Sequence, residues 1–271
     1  MKKKLPVLSA ISLAIVLLLS GCGSKEDDGI FRVGMECGYA PFNWTQLDDS
    51  NGGVPIEDSA EYAGGYDVEI AKRIAEGLGQ KLVVVKTKWT GLSLAAESGK
   101  IDAILAGMSP TADRMQTLDF SDSYYKSDLV MVVKKGGKYE NATSIQDFKG
   151  AKITGQLNTF HYTVIDQIEG VVKEPAMDDF PAMRVALESG IIDGYVSEKP
   201  EGVSAEAANE NYKMVEFEDG FVTSDEDTAI AVGLKKGSGL AGKINKILSG
   251  IPEEERQRIM DEAIKNQPAA Q

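Results

Sequence analysis

Arg114 is the side chain whose setting says most about chemistry. It ends the segment Ala106-Gly107-Met108-Ser109-Pro110-Thr111-Ala112-Asp113-Arg114, which is rich in small and hydroxyl residues. A guanidinium is a planar fork that grips a carboxylate through two parallel hydrogen bonds, which the point charge of a lysine does not reproduce. The Ser109 hydroxyl and nearby backbone N–H groups can complete such a carboxylate site, and Thr111 can cap the short turn that presents Arg114. Glu36 and Glu198 could in principle serve as general acid or base, yet every polar group in the set has a sufficient role in binding. A single histidine, His161, with Cys22 and Cys37 as the two cysteines, does not suffice for a His/Cys metal centre, and no cofactor is expected. His161 is read as a structural or partly exposed residue. Cys37 has acidic neighbours and should be chemically quiet, because a reactive thiol needs an electropositive setting.

These residues need elements to position them. Phe31 to Gly34 reads as a buried strand and Lys81 to Lys86 as another, with a helix from Val68 to Leu78 between them. Ile70, Ala71, Ile74, Ala75 and Leu78 give that helix an apolar face, Asp67 can cap its start, and Gly79 can stop it. Strand, helix, strand implies a parallel sheet. A helix from about Leu92 to Glu97, Gly99 as terminator and a strand Ile101 to Ala106 repeat the unit.

The segment Ala96-Glu97-Ser98-Gly99-Lys100-Ile101-Asp102-Ala103 recurs 91 positions later as Leu187-Glu188-Ser189-Gly190-Ile191-Ile192-Asp193-Gly194. The second copy follows a helix from Phe180 to Glu188, behind the acidic cap Asp178-Asp179, and leads into a strand Ile191 to Val196. Two lobes of similar build follow. In open α/β sheets, ligand groups lie in loops beyond the carboxyl ends of the strands. Four loops qualify: Glu36 to Tyr39, Gly107 to Ser109, Gly155 to Thr159, and Ser197-Glu198. Two belong to each lobe, as a ligand clamped between lobes requires.

The run from Ala106 to Arg114, followed by Leu118-Asp119-Phe120-Ser121-Asp122-Ser123-Tyr124-Tyr125, resembles the signature of the polar amino-acid family of bacterial extracellular solute-binding proteins, family 3. Gly38-Tyr39-Ala40-Pro41-Phe42, Gly65-Tyr66-Asp67-Val68-Glu69-Ile70-Ala71 and the Gly-x-Ile-Asp strand are similar matches, and the resemblance runs from about Phe31 to Gln267. It implies a two-lobed, type II periplasmic-binding-protein-like α/β fold with mixed, mostly parallel sheets. Lobe 1 would take residues 30–126 plus 226–267 and lobe 2 residues 127–225, with the runs Asp128 to Lys135 and Thr228 to Lys236 as crossover hinge strands. The implied ligand is a free L-amino acid, which arrives with two charges, and burying either one unpaired costs several kcal/mol. By the resemblance, Arg114, Gly107, Ser109 and Thr111 bind its α-carboxylate. The family places an acidic residue five positions after the strand aspartate, here Glu198, on the α-ammonium; the more usual residue there is Asp, and Glu reaches one methylene further. Tyr39 and Trp89 would wall the ligand side chain and Glu36 meet its distal end, which favours arginine or lysine, then glutamine or histidine. Gln156, Asn158, Thr159 and Phe160 are weaker matches, because related proteins often read Gly-Thr-Thr at this place.

Location and partners come from the termini and the charge. Met1-Lys2-Lys3-Lys4 and the apolar run Leu5 to Leu19 form a secretory signal too short to span a bilayer comfortably. The run leads into Leu19-Ser20-Gly21-Cys22, which resembles the bacterial lipobox. By that resemblance residues 1–21 are cleaved, Cys22 becomes lipidated, and residues 22–29 form a charged tether, leaving residues 268–271 as a tail. The expected location is the cell membrane, lipid-anchored and facing outside the cytoplasm. Losing Lys2, Lys3 and Lys4 takes the formal net charge from −13 to −16, which argues against nucleic acid as a partner. No P-loop is present, so the ABC permease and its ATPase are expected on separate chains, with this chain a monomer. The rival readings are a dehydratase-like enzyme on the same fold and a sensory surface lipoprotein.

Overall fold

The structure, a computed structural model, describes residues 28–268. The expected leader 1–21, the lipidated Cys22 with most of the tether, and the last three residues of the tail lie outside the described residues. Two five-stranded sheets organise the rest. The first runs in the order Lys81–Lys86, Ile30–Met35, Ala103–Ile104, Ala229–Lys235, Leu118–Lys126. The second runs Val172–Lys173, Lys152–Thr154, Gly194–Glu198, Leu129–Lys134, Tyr212–Val215. In each, the first three strands are parallel and the fourth is antiparallel to its neighbours. The antiparallel fourth strand is the one that enters from the other lobe, so the two halves share one plan.

The repeated Gly-x-Ile-Asp segment explains the shared plan at atomic level. Gly99 and Gly190 adopt the left-handed conformation, φ +76° in both, that ends a helix without a Cβ penalty. Each following aspartate then locks onto the second strand in the order of its sheet. Asp102 accepts from the Arg32 amide at 2.9 Å and donates its own N–H to the Arg32 carbonyl at 2.8 Å. Asp193 accepts from the Lys152 amide at 2.8 Å and donates to the Lys152 carbonyl at 2.8 Å.

Burial follows the periodicities. The helix Tyr66–Leu78 buries Ile70, Ala71, Ile74 and Ala75 against the first sheet. On Leu129–Lys134, Val132 belongs to the larger core cluster, while Met131 and Val133 belong to a second cluster on the opposite face. That alternation marks a strand covered on both sides. The two chain crossings lie side by side, since the Ser127 amide donates to the Thr228 carbonyl at 3.1 Å.

Several local expectations are corrected. The first helix starts at Tyr66, and Asp67 lies in its first turn without capping it. Instead Asp67 is fully buried and accepts from Asn43 Nδ2 at 2.8 Å and Tyr124 Oη at 2.6 Å. The strand expected over 101–106 is regular only at Ala103–Ile104, and that expected over 191–196 is Gly194–Glu198. Residues 38–64 contribute a small four-stranded sheet that the periodicity does not show.

Candidate functional site

The loops at the carboxyl ends of both sheets meet in a closed cleft, and three contacts cross it. Arg114, opening the short helix Arg114–Thr117, donates to the Ser109 carbonyl at 2.9 Å and across the cleft to the Asn158 carbonyl at 3.0 Å. Gln156 Nε2 donates to both carboxylate oxygens of Glu36, at 3.1 and 3.2 Å. Tyr39 stacks on Phe180 with ring centroids 4.2 Å apart. The helix Phe180–Ser189 that brings Phe180 is capped by Asp179, which accepts from the Ala182 amide.

Between these contacts lies a small chamber of about 10 Å³. Gly107, Ser109, Arg114, Tyr39, Trp89, Gln156, Thr159 and Phe160 line it together, and so does His161. The chamber shares Trp89 with two flanking cavities. One, of about 840 Å³, includes Thr111, Asn158 and Asp227; the other, of about 440 Å³, includes Glu36, Lys86, Lys88, Asp178 and Asp179. Thr111, Asn158 and Glu36 thus stand beside the chamber, and Glu198 lines none of the three. A chamber this small does not hold an amino acid, so a ligand must part the lobes or take its volume from the flanks.

Electrostatics inside the cleft are set by desolvation. Burial draws the Arg114 pKa down to about 10, against the opposing pull of Asp227, so the guanidinium stays charged at neutral pH. Trp89 covers it at 4.8 Å from the ring centroid. Burial lifts the Glu36 carboxyl to about 7, while its hydrogen bond from Gln156 works the other way. Asp67 is lifted to about 6 by burial, held down in part by Tyr124, Asn43 and the Gly107 amide. Through that carboxylate the Gly107 loop is tied to Asn43, whose Oδ1 in turn accepts from the Cys37 amide at 2.8 Å. Two cleft loops of lobe 1 are therefore set by one buried acid. Gly107 itself has φ +59° and a Cβ there would fall 2.6 Å from Tyr39 Cε1. The Cys37 thiol is buried and pushed up to about 12, which leaves it inert.

Three side-chain expectations change. The Ser109 hydroxyl is committed to the Asp227 carbonyl at 2.7 Å, so it has no proton left for a carboxylate. Thr111 accepts from the Arg114 amide only at 3.5 Å, a weak cap at best. Tyr39 stacks with Phe42 as well as Phe180, which leaves its hydroxyl rather than a ring face for the chamber. That hydroxyl is buried without a partner, and so is His161 Nδ1, whereas His161 Nε2 lies 3.1 Å from Glu198 Oε1. Buried polar atoms without partners are uncommon in folded proteins and point to something absent that satisfies them. His161, read from the sequence as structural or partly exposed, is instead buried and lines the chamber. Its position five after Gln156, inside the short helix Phe160–Thr163, was the available signal.

Comparison with known proteins places this geometry. Residues 31–266 match the family described as bacterial extracellular solute-binding proteins, family 3. The glutamine-binding protein GlnH of an ABC transporter from Bacillus subtilis (strain 168) is 30% identical over 284 residues, covering 98% of this chain and 99% of its own. The arginine-binding extracellular protein ArtP of the same organism is 27% identical over 268 residues, 92% of each chain. Among solved structures, an ancestral arginine-binding protein bound to arginine is 30% identical with a TM-score of 0.70, covering 86% of this chain and 97% of that one.

Proposed function

This chain belongs to the bacterial extracellular solute-binding proteins, family 3, and from that premise we propose that it captures a free L-amino acid between its lobes and delivers it to an ABC importer. The observation that carries the reading is the chamber itself. Arg114 presents a buried positive charge from lobe 1, while Tyr39 Oη and His161 Nδ1 are buried without partners on residues that line the chamber. A molecule with an anionic and a hydrogen-bonding cationic end satisfies all of them. Arg114, with the loop carrying Gly107, Ser109 and Thr111, takes the α-carboxylate, and Glu198 draws the α-ammonium toward lobe 2. Thr159, Gln156, Asn158 and Phe160 supply the lobe 2 wall.

The ligand side chain extends past Trp89 toward Glu36, where the 440 Å³ cavity gives it room. A carboxylate at that end favours arginine or lysine, with glutamine or histidine next, and opposes glutamate and aspartate by like charge. Relatives named for arginine and for glutamine support that range. Closure follows from a ligand that contacts both lobes, because its affinity for the closed form shifts the equilibrium. The chain is then held at the outer face of the membrane by lipid on Cys22, next to a permease and ATPase on separate chains. That no described helix is long and apolar enough to cross a membrane is consistent with this division of labour.

A panel of the twenty amino acids in thermal-shift and calorimetric titrations, on wild type and on Glu36→Gln, tests the reading. The expected result is tightest binding of arginine or lysine, moving toward glutamine in the variant. Tightest binding of an acidic or purely aliphatic amino acid, or an unchanged order in the variant, would remove Glu36 from the site.

A further inference from the structure

We infer that the α-ammonium of the captured ligand is received by a His161–Glu198 pair rather than by Glu198 alone, and that its arrival expels one proton held by that pair. The inference rests on the amino-acid reading above and adds the residue and the proton to it.

The pair is defined by geometry. Glu198 Oε1 lies 3.1 Å from His161 Nε2, and both side chains are buried, 2% and 6% exposed. His161 lines the chamber and Glu198 does not, so the imidazole is the ring a ligand meets first. Beyond that contact, Glu198 Oε2 and His161 Nδ1 have no hydrogen-bond partner. Among the described residues, no lysine or arginine pairs with Glu198. Helix Lys199–Ala208 brings a second buried carboxylate, Glu201, already paired with Arg184 at 2.7 Å from helix Phe180–Ser189 and with Tyr195 Oη at 3.0 Å. Lys199 turns outward to Glu216 at 2.8 Å. The flanking strands bring Lys134 and Lys152, both exposed. Arg114 acts on His161 through its charge.

An enclosed carboxyl with a carboxylate beside it keeps its proton. Burial first, and then Glu201, raise the Glu198 pKa well above the usual carboxylate range. Burial and the Arg114 charge hold the imidazole neutral, drawing its pKa down to about 3. In the empty protein the pair therefore carries no net charge, with the Glu198 O–H directed at the Nε2 lone pair. An incoming ammonium needs a negative partner. Glu198 supplies it by ionising, and its proton leaves to solvent, because an imidazolium would face both the ammonium and Arg114. Charge balances: the pair goes from neutral to −1 against the +1 of the ammonium, with one proton released.

Calorimetric titration of the wild-type protein in phosphate and in Tris at the same pH of about 8, where the Glu36 carboxyl, lifted to about 7, has already lost its proton, measures this directly, since the two buffers differ in ionisation enthalpy. The expected result is about one proton released per ligand bound, with affinity rising as pH rises until the empty pair is itself ionised. Glu198→Gln should abolish the release, and His161→Gln, which removes the imidazole that accepts the Glu198 O–H, should weaken binding about tenfold and displace the affinity–pH curve. Equal heats in the two buffers would overturn the proposal. Release that survives undiminished in Glu198→Gln would assign the proton to Glu36 and overturn it too, as would His161→Gln with wild-type affinity and proton count. The wild-type measurement needs no variant to fold. Binding without proton release refutes the pair alone, whereas no binding of any amino acid refutes the capture reading with it.

Discussion

Replacing Arg114 by alanine removes three things at once, and their sizes can be separated. The first is the partner of the ligand carboxylate. Truncating one side of a buried charge pair costs about 2–5 kcal/mol, much of it the penalty of leaving the other charge enclosed and unpaired. The second is the 3.0 Å hydrogen bond from Arg114 to the Asn158 carbonyl, which joins the lobes in the closed form. A hydrogen bond from a charged donor is worth roughly 1.5–3 kcal/mol. The third is the packing of the guanidinium over Trp89 at 4.8 Å, worth about 0.5–2 kcal/mol. These are not additive, because the same group makes all three contacts. The first, taken near the middle of its range at about 3 kcal/mol, is more than a hundredfold in Kd. Arg114→Lys keeps the charge but offers no planar fork, so it cannot hold two carbonyls and a carboxylate together, and should lose about tenfold or more. Calorimetry with the tightest-binding amino acid, alongside thermal unfolding of each ligand-free variant, gives both numbers. A folded Arg114→Ala protein that loses less than tenfold, or a lysine variant equal to wild type, would refute the assignment of the carboxylate to this residue.

Three further outcomes follow from the same structure. Because the Glu36 carboxyl is lifted to about 7 in the empty cleft, a cationic side chain must draw off its proton at lower pH. The affinity ratio of arginine to glutamine should therefore fall as pH drops from about 8 to about 5.5, approaching tenfold per unit below 7; a flat ratio in calorimetry contradicts this. Gly107→Ala forces a Cβ toward Tyr39 at φ +59°, which should cost about 1–2 kcal/mol, lower the Tm by about 2–8 °C and weaken ligand binding; unchanged unfolding and affinity contradict the close approach. Cys22→Ala should release soluble protein, and fractionation that finds it as membrane-bound as wild type would end the anchoring proposal.

The fold was legible where periodicity and punctuation agreed. The run KLVVVK at 81–86 became a strand to the residue, and Gly79, Gly99 and Gly190 end their helices as read. The repeat was readable because a Gly-x-Ile-Asp segment solves one problem in each sheet, although the backbone-to-Asp clasp that explains it is invisible before the strands are paired. Short elements were not legible. Residues 38–64 carry two- to four-residue strands, too short for any alternation to show. In the site, the loops were found by rule, but the use of each hydroxyl and ring was not. Ser109 donates to Asp227, 118 residues away, and Tyr39 stacks on Phe180, so neither commitment leaves a local trace. His161 was read as structural or partly exposed because a lone histidine carries no spacing; its burial beside Glu198 is visible only in the fold.

The central claim is that this cleft holds an amino acid by its two charged ends, and native mass spectrometry on protein purified without denaturation tests it most directly. The account predicts a one-to-one complex whose added mass is that of a single amino acid, with arginine, lysine, glutamine or histidine as the candidates, and predicts its loss in Arg114→Ala. An added mass belonging to a molecule without an α-amino and an α-carboxylate group would contradict it. So would protein that stays bare when each of the twenty amino acids is supplied.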